Sequence, residues 1–226
     1  MKQHGFARRL RFELVEAGEA QAVFALTDSD ATRKHYPFAF RLEVAFRLYG
    51  PSLAIDVTVA NTGEVPMPAS FGFHPAFAWP LPGGPLPGGG AKEDHRIVFA
   101  ADEPGRLKAI AADGTIAAAE VDSPLDGRVL HLADALFAHD ALVWDPVASQ
   151  AVSYGTEGGT QLEIAFPDTP MLGIWSKPGA HFVGVEPWHG IADPEGYAGE
   201  FRDKPGVFTV APGEAKRIGM SVTLRG

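Results

Sequence analysis

Between Phe40 and Val59 apolar and polar residues alternate almost without exception. Phe40, Leu42, Val44, Phe46 and Leu48 share one face of an extended chain, Arg41, Glu43 and Arg47 the other, and Leu53, Ile55, Val57 and Val59 repeat the pattern. A period of two gathers these apolar side chains only in a strand; wound as a helix they would scatter around its circumference. Strands of this kind must bury one face, and the rest of the chain has to supply the cover.

The same signature recurs along the sequence. Over residues 9–15, Leu10, Phe12 and Leu14 alternate with Arg11, Glu13 and Val15 as a half-buried strand, which Gly18 turns back into Ala22, Phe24 and Leu26 as a hairpin. Residues 27–36 carry Asp and Ser as capping residues and stop at Pro37, which predicts one or two helical turns. Asn61-Thr62-Gly63 closes a strand, and residues 66–69 lead into the next one, centred on His74. The stretch PGGPLPGGG at 82–90 cannot hold regular structure and reads as a long surface loop, placed to form a rim or lid. Residues 96–121 offer two weak strands and 134–137 a helical turn. Short strands follow at 141–144, 151–154, 161–166, 171–175, 182–185, 206–210 and 217–224, punctuated by Gly and Pro. Many short strands, almost no long helical period and no internal repeat predict an all-β chain, an antiparallel sandwich or barrel. Its 226 residues are expected to form one domain over 1–226.

A formal net charge of -9 with no basic run to offset it disfavours nucleic acid as a partner. The absence of cysteine removes disulfides, thiolate catalysis and cysteine metal sites, and allows a reducing compartment. The opening MKQHGFARRL is polar and basic with no apolar segment behind it, so neither a secretory signal nor a membrane anchor is expected, and the chain reads as cytoplasmic.

Four places carry chemistry. In SFGFHPAFAWPL, residues 70–81, His74 is locked by Pro75 and flanked by Phe71, Phe73, Phe77 and Trp79, which reads as a titratable group between aromatic walls of a small-molecule cleft. In FVGVEPWHGIAD, residues 182–193, a Val-rich strand delivers Glu186 at its end, where Pro187 stops the ladder and Trp188 supplies a flat apolar face. A carboxylate beside an indole is partly desolvated, which raises its pKa toward the range useful for a general base. His4 and Arg8 flank the turn at Gly5, and Asp140 follows His139 at the head of the strand ALVW. Each also has a plain structural reading: a core histidine bonded to backbone, a carboxylate paired with arginine, tryptophans (Trp79, Trp144, Trp175, Trp188) that are simply core. His35, His95, His131 and His181 stand in no context that lifts them above surface positions. The spacing of His4, His74, Asp140 and Glu186 is too loose for a metal site, and none is expected.

HGFAR at 4–8, FGFHPAF at 71–77, HDALV at 139–143 and FVGVEPWHG at 182–190 together resemble, in order and spacing, the aldose 1-epimerase (galactose mutarotase) superfamily, most of all its LacX-like branch. The resemblance covers essentially the whole chain. It implies the galactose mutarotase-like supersandwich, a large antiparallel β-sandwich with the sugar cleft on one concave sheet. It also implies interconversion of the anomers of a free aldohexose by acid–base ring opening and closure. Glu186 resembles the family's general base and His74 its general acid; His4, Asp140 and Arg8 resemble sugar-binding residues, and Trp175 and Trp188 are candidates to pack on the pyranose. No cofactor is implied, because only protons move. Family members usually carry several strands before the HGFAR segment, which here starts the chain, so an N-terminally shortened sandwich is expected, with an exposed sheet edge open to homo-oligomerisation. A non-catalytic sugar-binding protein and a hexose-6-phosphate 1-epimerase remain the alternatives.

Overall fold

A computed structural model of the chain describes residues 4–82 and 90–226. The Gly/Pro loop expected at 82–90 therefore lies, apart from its two ends, outside the described residues. Eighteen strands run in order among the described residues: β1 (Glu13–Ala17), β2 (Gln21–Thr27), β3 (Phe40–Tyr49), β4 (Ser52–Asn61), β5 (Met67–Ala69), β6 (Phe71–Gly72), β7 (Ala76–Ala78), β8 (His95–Phe99) and β9 (Arg106–Ile110). They continue as β10 (Ile116–Asp122), β11 (Val129–His131), β12 (Leu142–Trp144), β13 (Ala151–Thr156), β14 (Gln161–Ala165), β15 (Met171–Trp175), β16 (Phe182–His189), β17 (Phe208–Val210) and β18 (Ala215–Arg225). One helical turn at Asp30–Arg33 is closed by a capping box between Ser29 and Thr32, as the Asp- and Ser-containing connector predicts.

The strands form an antiparallel sandwich. A nine-stranded sheet has the order β1-β2-β3-β4-β18-β14-β13-β8-β11; a second runs β10-β9-β12-β15-β16-β6, with β7 also pairing with β16; β17 and β5 make a small ribbon. Between the sheets the apolar faces interlock: Val57, Ile218 and Ile164 from the large sheet, and Val183, Val185, Leu172 and Trp144 from the smaller one, belong to one buried cluster. Alternation leaves the other face of the smaller sheet free to carry functional side chains. Among the described residues no helix is long and apolar enough to cross a membrane.

Four expectations need correction. The half-buried strand at 9–15 starts instead at Glu13, after a 3-10 turn over Ala7–Arg9, and every residue of β1 is exposed, because β1 is the outermost strand of its sheet among the described residues. Residues 95–122 contain three strands rather than two; short Ala-rich runs carry little periodic signal. Pro187 does not stop its strand. β16 runs through it to His189, since the Pro187 carbonyl still accepts from Phe73 N at 3.0 Å and the missing N–H points to the same side, where β6 gives way to the break at His74 and Pro75. His95, expected at the surface, is buried: its Nε2 accepts from Leu81 N at 2.9 Å while Nδ1 lies 3.0 Å from the Ala91 carbonyl, so one imidazole ties the two ends of the Gly/Pro stretch.

Candidate active site

The site is set by β16. Directly opposed residues of an antiparallel pair share a face, so Glu186 lies on the outer face with its partner Gly173, Trp188 with Met171 and Gly72, and Trp175 with Gly184. Glycine at three of these positions follows from crowding. A Cβ on Gly72 would come within 2.6 Å of the Trp188 ring, one on Gly173 would collide with the same indole, and one on Gly184 would sit 2.7 Å from Glu186 Oε1. Trp188 therefore lies flat over two bare stretches of backbone, and the Glu186 carboxylate occupies space that Gly184 leaves open.

On the other side of β16 the chain is interrupted. β6 pairs with Trp188 and His189, β7 with Phe182–Gly184, and both keep one register, in which the residue facing Glu186 is His74. His74 thus belongs to a gap between two short strands rather than to the middle of one, with Pro75 denying the ladder its N–H. Freed from the ladder, the imidazole turns onto the carboxylate: His74 Nδ1 lies 2.6 Å from Glu186 Oε2, with side chains 45% and 5% exposed.

The aromatic walls are not those expected. Phe73 and Trp79 are buried in the core, and Phe71 and Phe77 pack against it, because alternation sends the odd-numbered residues of this segment inward and His74 outward. The aromatic groups on the Glu186 face are half-buried Trp175, its ring 5.4 Å from that of Phe182 and inclined to it by 49°, and half-buried Trp188, with Glu186 between them along the sheet. Trp144 and Trp79 are plain core, as one of the structural readings had it.

The remaining candidates gather at the same place. The His4 ring lies 5.2 Å from that of His74. Arg8 is exposed, yet close enough for its charge to act on both imidazoles, and Asp140 is close enough to act on Glu186. Among the described non-glycine residues only His4 (φ 64°) and Asp140 (φ 79°) have positive φ. Backbone strain of this kind costs on the order of 1–3 kcal/mol and persists where surroundings over-determine it, so its confinement to two residues of one site is a signal independent of the motifs. Asp140 Oδ1 accepts from Ala141 N at 2.7 Å, which fixes the carboxylate at the head of β12.

Electrostatics separates the two central groups. Burial pushes Glu186 up to about 8, helped by the Asp140 charge and opposed by the Trp188 side chain. Partial burial and the Arg8 guanidinium hold His74 below the usual histidine value; burial first, then Arg8, His74 and Arg9, do the same to His4. At neutral pH the carboxyl keeps its proton and the imidazoles are neutral. The 2.6 Å contact is then a hydrogen bond from the Glu186 carboxyl to Nδ1, one proton held between two groups, and not an ion pair. Among the described residues no three His, Asp or Glu side chains converge as a metal site. The arrangement can move one proton in either direction beside a flat apolar platform.

Comparison with known proteins gives a consistent result. A sequence profile of the aldose 1-epimerase family matches residues 1–193. The plasmid-encoded protein LacX of Lactococcus lactis subsp. lactis is 29% identical over 229 residues, covering 99% of this chain and 75% of that protein. Among solved structures, a galactose mutarotase related enzyme from Lactobacillus acidophilus superposes with a TM-score of 0.87 at 30% identity, over 99% of this chain and 74% of that one. A galactose mutarotase-like protein from Lactobacillus casei gives 0.86 at 26% identity, over 100% and 76%.

Proposed function

The chain belongs to the aldose 1-epimerase family, in its LacX-like branch, and from that premise we propose that it interconverts the α and β anomers of a free aldohexose. The observation that carries the reading is the 2.6 Å contact between His74 Nδ1 and Glu186 Oε2 beside Trp188.

The catalytic step starts when the proton held between these two groups sits on the imidazole, leaving a carboxylate base and an imidazolium acid. The anomeric centre enters between them. Glu186 takes the proton of the C1 hydroxyl as the C1–ring-oxygen bond breaks, and His74 delivers its proton to the ring oxygen, giving the open-chain aldehyde. The net result is a proton moved from His74 to Glu186 through the sugar, which is the arrangement that burial of Glu186 favours. Rotation about C1–C2 presents the other carbonyl face. Return of the proton from Glu186 to the carbonyl oxygen, with His74 taking the one on the former ring oxygen, closes the ring as the opposite anomer. Trp188 and Trp175 offer apolar faces for the C–H side of the pyranose, and His4, Asp140 and Arg8 its hydroxyl contacts. No external redox or group-transfer partner enters, because every proton is conserved within the pair.

One observation favours a second substrate class. Arg8 makes no ion pair with any described residue, so its guanidinium is available to a hexose 6-phosphate. The experiment is optical rotation of freshly dissolved α-glucose and α-galactose, with wild type, Glu186→Gln and no protein, repeated with the 6-phosphates. Acceleration by wild type alone supports the proposal; acceleration only with the phosphates moves the substrate to the second class. Equal rates with and without protein for all four sugars overturn the enzymatic reading and leave a sugar-binding protein.

A further inference from the structure

Two glycines fix how the Trp188 ring is turned. A Cβ on Gly72 would meet Cδ1 at 2.6 Å, Cγ at 3.3 Å and Nε1 at 3.4 Å, all atoms of the five-membered ring; a Cβ on Gly173 would meet Cη2, Cζ2 and Cζ3, the far end of the six-membered ring. Gly72 stands opposite Trp188 itself, whereas Gly173 stands opposite Glu186, two residues back on the same face of β16. The indole thus runs diagonally over β16, from its own row of the sheet to the row of Glu186, rows that lie about 7 Å apart along a strand. Its Cγ corner is tied through Cβ to the Trp188 backbone and faces the nearer row. The opposite edge, from Cδ1 through Nε1 to Cζ2, therefore faces the farther row, where Glu186 meets the His74 imidazole. The N–H on that edge is the side chain's only donor. A hydrogen bond from the Trp188 side chain acts on the Glu186 carboxyl against the burial that raises it.

We propose that the edge and the face of Trp188 have separate duties: the indole N–H is the donor that stabilises and orients the carboxylate form of Glu186 as a base, and the ring face is left for the sugar. The consequence for turnover rests on the anomer interconversion proposed above. That reaction starts from a carboxylate on Glu186 beside an imidazolium on His74, and a donor aimed at the carboxylate favours this distribution over the one in which the carboxyl keeps its proton. A cation in the same place would repel the imidazolium; a neutral N–H does not. The other groups bearing on the pair are Asp140, from the head of β12, which acts on Glu186, and Arg8 and His4, which face His74. Trp188 in this role is a positioning residue, since its N–H acts on the sugar only through Glu186. Nε1 belongs to the five-membered end, seated at Gly72, so the donor is separable from the broad six-membered face over Gly173.

The indole N–H resonances of the isotope-labelled full chain test this directly. The chain has four tryptophans, and the signal lost in Trp188→Phe identifies the one concerned. In wild type that resonance should move downfield as pH rises through about 8, with the titration of Glu186, and should hold still over the same range in Glu186→Gln. Turnover supplies the second readout. Replacing the Trp188 side chain by that of benzothienylalanine keeps both rings and puts sulfur in place of the N–H. This isostere should lower kcat about tenfold or more, leave KM within about twofold and move the alkaline limb of the pH profile to higher pH. An indole resonance indifferent to the titration of Glu186, or an isostere that raises KM and leaves kcat and the alkaline limb unchanged, overturns the proposal. If wild type turns over none of the sugars, the proposed reaction alone fails, and the indole titration still decides the hydrogen bond.

Discussion

In the large sheet β3 and β4 pair over ten residues without a shift of register; in the facing sheet β6 and β7 contribute two and three residues and leave a gap, and the gap is where His74 meets Glu186. An unbroken ladder satisfies every backbone group and dictates every side-chain direction, which suits a core but leaves no group free to turn. An interrupted ladder gives up hydrogen bonds and gains a side chain that can leave its expected direction. The contrast extends to composition. The outer face of the smaller sheet carries Gly72, Gly173 and Gly184 where strand propensity alone would place β-branched residues, because the indole and the carboxylate need the room. Both sheets share the core, but the unbroken pairing lies in one and the candidate site in the other.

That division can be broken by five measurements. Glu186→Gln is expected to slow anomer interconversion by about 10³-fold, with His74→Asn close to 10²-fold, the scale of lost acid–base catalysis. Because Glu186 has a folded pKa of about 8 against an ordinary value of 4.5, the folded state binds its proton more tightly, so native stability falls as pH rises between those values. Glu186→Gln removes that loss and should therefore melt above wild type at about pH 9 and equal to it at about pH 4. A melting point that drops at the higher pH would return Glu186 to a purely structural role.

Ile218→Ala, in the middle of the large sheet, should cost about 3 kcal/mol in chemical denaturation and leave kcat unchanged. A matching loss of kcat in the folded enzyme would show that the two sheets are not separable. Next in size, Gly173→Ala pushes against the Trp188 indole, and about a tenfold rise in KM with little change in kcat is expected if that ring is the sugar platform. The gentlest test is the pH profile. The productive pair holds one proton, so kcat/KM should decline above about pH 8 as Glu186 and His74 together lose it, and decline again below the ordinary histidine range as His74 takes a second. A profile flat across both limbs would break the assignment of the pair.

How much of this was visible in the sequence follows the same divide. β3, β4 and β15 are legible because alternation or a bounded apolar run is a local property, and the residues of the site are legible because their motifs are. What local pattern does not contain is which strand lies at a border and which face meets the other sheet. β1 has the alternation of a buried strand and is exposed; Phe73 and Trp79 look like cleft walls and point into the core. The opposition of His74 to Glu186 depends on a register shared by two separate strands, a long-range quantity. Pro187 is a ladder breaker by composition, tolerated because it faces a break already present. The positive φ at His4 and Asp140 has no sequence mark, since neither is glycine.

Trp188, seated over Gly72 and Gly173, has a consequence for the sheet beneath it. Where two strands lack side chains, their peptide groups would lie open to water, and the exchange of their amide hydrogens would be fast. The indole is a roof to those groups as well as a floor to the cleft. The seating of one ring thereby bears on the β6–β16–β15 ladder, and if that ring is the sugar platform of the proposed function, added sugar is expected to slow amide exchange at Gly173 and its neighbours.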